Sequence, residues 1–145
     1  DPSLAMAKNN LAYLLSEHGG DLDRALSLAQ EAKEMLPESA NAADTLGWVL
    51  FKKKVPSAAI GYLREAERGL PVENPQLGTV RHHLALAYEA NGQPELARET
   101  LERALKDLET PRAGGGGSGA EPPWAAEARS MLERLAPAPP ASQEG

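Results

Sequence analysis

Three stretches of this 145-residue chain repeat one pattern, and that periodicity limits its possible folds more than any other feature. Asn10-Leu11-Ala12, Thr45-Leu46-Gly47 and His83-Leu84-Ala85 each pair a Leu with a small residue. A large apolar residue follows four positions after the Leu, at Leu15, Leu50 and Tyr88. Beyond it come two Ala seven apart: Ala25 and Ala32, Ala59 and Ala66, Ala97 and Ala104. Pro37 and Pro71 close the first two copies, and the three Leu stand 35 and 38 residues apart. A step of that length holds a pair of helices, and one pair cannot bury its apolar face without neighbours. Small residues at the crossing of paired helices let the axes approach closely, while Leu and Tyr fill the space beside them. Enlarging Ala25, Ala59 or Gly47 is therefore expected to cost on the order of 1–3 kcal/mol through overpacking.

Composition supports helices. Hydrophobic residues make up 41% of the chain but aromatics only 4%, so the core must be Leu and Ala. A β-sandwich needs more β-branched and aromatic side chains than this. The net charge of −6 repels phosphate backbones and argues against nucleic acid as a partner. No apolar run approaches the roughly 20 residues needed to cross a bilayer, so direct membrane insertion is not expected. The absence of Cys excludes disulfides, thiolate metal sites and Cys nucleophiles, and leaves the compartment unassigned. The opening Asp1-Pro2 is how a preceding repeat of this kind would end. The expectation is a C-terminal piece of a longer array whose upstream part carries any targeting signal.

The units are expected at about residues 3–39, 40–73 and 76–109. In the first, Leu4, Leu11, Ala12 and Leu15 form one helical stripe that stops at His18-Gly19-Gly20, and a second helix starts near Asp21 or Leu22. In the second, Ser39 suits an N-cap and Pro56 suits the first turn of a helix. Lys54 stands there in place of the usual turn Gly, which predicts mild strain or a changed turn. In the third, Asn91-Gly92 turns the chain between two helices. Residues 111–121 are Gly-rich and read as a flexible linker, and 137–145 as a disordered Pro/Ala tail. Between them, residues 122–136 read as a capping helix with Ala128, Met131, Leu132 and Leu135 on one face.

These residues resemble the tetratricopeptide repeat over about residues 5–108. The Leu-(Ala/Gly) pair, the apolar residue four on, the two Ala seven apart and the closing Pro carry the likeness. The resemblance implies an all-α fold, an α-α superhelix of three helix pairs plus the C-terminal capping helix. It also implies that first helices line a concave groove for a protein or peptide, without catalysis. The run Asp44-Thr45-Leu46-Gly47-Trp48-Val49-Leu50-Phe51 resembles bacterial members, often the C-terminal parts of envelope- or secretion-associated arrays.

Helical phase selects the groove-facing residues: Asn9, Tyr13 and Glu17 in unit one, Asp44, Trp48, Phe51 and Lys52 in unit two, and His82, Leu86 and Glu89 in unit three. Tyr13, Trp48 and Phe51 concentrate scarce aromatics on one surface, the composition of a binding hot spot. The other placement for Trp48 and Phe51 is packing between repeats or against the last helix. Some family members clamp a terminal carboxylate with Lys and Asn. No matching basic residues recur here, so chaperone tails are poor candidates. His82-His83 lacks the spacing of a metal motif, and the Gly-rich stretch lacks the strand and Lys of a phosphate loop. No catalytic constellation, cofactor or metal is expected. The alternative function is structural: the apolar N-terminal face with Leu4, Leu11 and Leu15 would meet a preceding repeat or a second copy of the chain.

Overall fold

Polar side chains placed just ahead of apolar periodic runs start the helices. In the computed structural model, which describes residues 1–109 and 120–137, Asp1 caps α1 (Pro2–Glu17), accepting from the Ser3 N–H at 3.0 Å. Asp21 caps α2 (Leu22–Met35) through the N–H groups of Asp23 and Arg24. Ser39 caps α3 (Ala40–Lys52) through the Ala42 N–H at 3.1 Å. Pro56 opens α4 (Pro56–Gly69), where its missing N–H costs no hydrogen bond. Asn74 accepts from the N–H of Gln76, the first residue of α5 (Gln76–Ala90), and α6 (Pro94–Glu109) and α7 (Pro123–Leu135) both begin at Pro. The expected Gly-rich linker and terminal tail lie, apart from their edges, outside the described residues.

Helices α1 and α2, α3 and α4, and α5 and α6 form antiparallel pairs that stack in chain order. Gly47 shows why they nest. A Cβ there would lie 2.6 Å from the Leu63 Cγ and 3.2 Å from the Ala59 carbonyl oxygen. Ala59, Leu63, Leu84, Ala85, Ala97 and Leu101 continue this small-against-large packing into the third pair. Ala12, Ala25, Ala29, Leu46 and Val49 do the same between the first pair and α3.

The turns within pairs share one conformation. Gly19 and Gly92 have φ of 68° and 76°, and Lys54 has φ of 68°. A residue with a side chain costs roughly 1–2 kcal/mol in that left-handed region, so the second turn carries the strain its sequence implied.

On α1 the buried stripe is Ala5, Asn9, Ala12 and Ser16. Leu4 and Leu11, which the sequence placed on the helical stripe and on the open apolar N-terminal face, are 49% and 38% exposed. Their apolar character is real, but they lie on the flank away from α2.

The last helix completes the architecture. It contacts α6 and α5 as α3 contacts α2 and α1, so it occupies the position of a following pair's first helix. Its Trp124, Ala125, Ala128 and Met131 enter the same core as Leu84, Ala85 and Leu101. The described residues form an all-α superhelix of three pairs and a closing helix.

Candidate functional site: the concave groove

First helices of successive pairs stand side by side, so residues one repeat apart meet across one concave surface. Two connected hollows mark it. One, of about 240 Å³, is lined by Asn9, Asn10 and Tyr13 of α1, Asn41, Asp44 and Thr45 of α3, and Gln76, Thr79 and His83 of α5. The other, of about 440 Å³, takes in Tyr13, Glu17, Trp48, Lys52, His82 and Leu86, and is walled at its far side by Pro123, Trp124 and Glu127 of α7.

Trp48 sits at the middle of the surface and is 7% exposed. Its ring stacks on His83 with centroids 4.1 Å apart and on Phe51 at 5.2 Å. Its indole N–H donates to Glu17 Oε1 at 2.5 Å, tying α1 to α3. The Lys52 ammonium lies 4.8 Å from the ring centroid, a cation–π contact that covers part of what remains. The two placements that the sequence left open therefore separate. Trp48 lines the larger hollow while packed among its neighbours, Phe51 lines neither hollow and packs against the core, and Tyr13, at 39% exposure, is the aromatic that faces outward.

The polar residues are more deeply set than helical phase alone suggests. Asp44 and His83, both buried, pair at 2.9 Å between Oδ1 and Nδ1. Asn9 is 4% exposed, and its amide oxygen has no hydrogen-bond partner among the described residues. His82 is 7% exposed, with Nε2 at 3.3 Å from Glu127 Oε2 but out of line for a hydrogen bond. Burial first, then the neighbouring His83, hold the His82 imidazole below its ordinary pKa, while Glu127 pulls the other way. Burial, then the carboxylates of Glu17 and Asp44, raise the Tyr13 phenol above its ordinary value. Leu86 is half-buried in the wall, and Glu89 is drawn to Arg134 of α7, whose Nη2 donates to its Oε1 at 3.1 Å.

Sequence reasoning did not include α7 in the groove. Trp124 lies flat against Gly78 of α5: a Cβ on Gly78 would fall 2.2 Å from Trp124 Cζ2. A Gly inside a helix with no turn to make was the one signal available. The surface has the acids and imidazoles of acid–base chemistry, but Glu17 and Asp44 are engaged by Trp48 and His83, and Glu127 stands apart from them beside His82. Among the described residues no group of three or more His, Asp or Glu is arranged to hold a metal.

The sequence model of the tetratricopeptide repeat matches residues 80–107, which span most of α5 and α6. No curated protein matches the chain by sequence. Among solved structures, the nearly identical TPR-like repeats of a Podosopora anserina kinesin light chain superpose with a TM-score of 0.74 at 22% identity, over 93% of this chain. This chain spans 66% of that structure's length, and a single-substitution variant of the same repeats matches at the same TM-score. The N-terminal domain of stress-induced protein-1 (STI-1) from C. elegans matches at a TM-score of 0.65 and 14% identity, over 92% of this chain and 95% of that one. The chain is thus similar to tetratricopeptide-repeat proteins in sequence over its third pair and in fold over nearly its whole length.

Proposed function

We propose that this tetratricopeptide-fold chain is a non-catalytic protein-interaction scaffold holding a peptide or protein segment in the groove of α1, α3, α5 and α7. The proposed organisation is three repeat units, at residues 3–39, 40–73 and 76–109, with the cap at 122–136. The observation that carries the reading is one continuous concave wall, built from four first-position helices, with the exposed Tyr13 ring beside the unpartnered Asn9 oxygen. A half-exposed aromatic next to an unmet hydrogen bond offers a ligand both area and direction. Tetratricopeptide folds in general present this surface to other proteins, which supports the same reading. The test is selection of peptides from a random displayed library, followed by NMR titration of the winner. Shifts should cluster on Tyr13, Glu17, Lys52 and Leu86, and Tyr13→Ala should weaken binding by about 1 kcal/mol or more. Shifts confined to α2, α4 and α6 would refute the reading.

A second reading is self-association through the outer flank of α1. It is favoured by Leu4, Leu11 and Leu14, which are 38–51% exposed. Sedimentation at high concentration decides it, since a strict monomer contradicts it.

A further inference from the structure

We infer that the segment held in the groove is basic: an extended peptide carrying Lys or Arg side chains. This rests on the groove reading and adds the chemistry of the ligand. The lining carries the carboxylates of Glu17, Asp44 and Glu127, against which stands one ammonium, Lys52. That ammonium is already placed over the Trp48 ring. Other cations near the rim are engaged elsewhere: Arg134 with Glu89, and Lys8 with Glu31 on α2.

Hydrogen-bonding capacity points the same way, independently of charge. The indole N–H of Trp48 is given to Glu17, and Nδ1 of His83 is shared with Asp44. The Asn9 oxygen, on a residue only 4% exposed in the same wall as Asp44 and Tyr13, is an acceptor with no donor. The groove therefore presents the Asn9 oxygen and three carboxylates against one ammonium, with Asn10, Tyr13, Asn41, Gln76 and Thr79 supplying neutral polar groups of both kinds. A ligand that brings N–H groups and positive charge meets the oxygen and the carboxylates together, the backbone of an extended peptide supplying the first and a basic side chain both. Burial first, then the carboxylates of Glu17 and Asp44, raise the pKa of the Tyr13 phenol, and the carboxylate share fits a negative field in the groove. An acidic segment would face the same carboxylates at close range, which is costly.

The experiment is fluorescence anisotropy on the full chain. It uses three labelled peptides of about a dozen residues, alternating Ala with Lys, with Gln or with Glu. The Lys peptide should bind tightest, weaken as salt rises and lose about three- to fivefold in affinity in Glu17→Gln and in Glu127→Gln. Because the chain has no Cys, a bulky maleimide on Asn10→Cys blocks the groove selectively, with Glu34→Cys on α2 as the outer control. Block by the first label and not the second supports the inference. If the Gln or Glu peptide binds as well as the Lys peptide and the groove label blocks it, the basic class is overturned while the groove reading stands. If the Lys peptide binds and the groove label has no effect, both fall, and the attraction belongs to the acidic surface at large. Binding by none of the three overturns the inference.

Discussion

The two ends of the helix stack are finished in opposite ways. At the C-terminal end, α7 buries Trp124, Ala125, Ala128 and Met131 and turns Glu127, Arg129, Glu133 and Arg134 outward. At the N-terminal end, α1 leaves Leu4, Met6, Leu11 and Leu14 between 38% and 59% exposed. The residues one repeat on from Leu11 and Leu14 are Leu46 and Val49, which are 2% and 0% exposed because α2 and α1 cover them. Equivalent positions thus differ in burial only through what lies beside them. Apolar area gains about 25 cal/mol per Å² on leaving water, so α7 contributes stability that the α1 flank does not. The difference teaches that the same helical register gives a polar outer face on α7 and an apolar flank on α1, according to the residues that each helix turns away from its neighbours.

That contrast can be broken at its strongest point. Trp124→Ala removes the largest buried side chain of α7 and should cost about 3–5 kcal/mol, seen as earlier melting and as lost amide protection across α7. Gly78→Ala attacks the same seat from the other side. It should cost on the order of 1–3 kcal/mol, because a methyl there occupies the space of the indole. Combined with Trp124→Ala it should add little, since the clash no longer exists, and a double-mutant cycle measures this coupling.

A smaller effect comes from pH. His82, against Glu127 of α7, has a lowered pKa in the folded chain. The unfolded chain therefore takes up the proton first as pH falls through about 6.5, and stability present above that value is lost on going lower. Thermal melts between about pH 7.5 and about pH 5.5 should show this decline, with a shallower slope in His82→Asn. The smallest effect belongs to the open end. Leu14→Gln should change the melting free energy by no more than about 0.5 kcal/mol, whereas Val49→Ala, one repeat on, should cost about 1 kcal/mol or more.

Much of the fold was legible because its signals are local. The helix start near Asp21, the cap at Ser39, Pro56 at the start of α4, and the turn at Lys54 each depend on a few neighbouring residues. The helix crossing at Gly47 was readable because a small residue recurs at one register in every unit. The α1 stripe read from the sequence mixes Ala12, which is buried, with Leu4 and Leu11, which are exposed, since hydrophobicity names an apolar face but not whether anything covers it. Two of the four buried residues of α1, Asn9 and Ser16, are polar, which inverts the usual signal. The site was harder still. Trp48 is held by Glu17, 31 residues before it, and by His83, 35 residues after it, and Trp124 by a Gly in α5. Helical phase places such residues on a face, but their contacts arise only when three or four helices assemble.

Hydrogen exchange on the full chain, comparing α7 with α1, tests most directly whether the stack continues into its last helix and so completes the groove. The account predicts that the central amides of α7 exchange about as slowly as those of α5 and α6, and that Trp124→Ala releases α7 while α1 is unchanged. Exchange of α7 at the rate of an unstructured peptide, with α5 and α6 still protected, would contradict it.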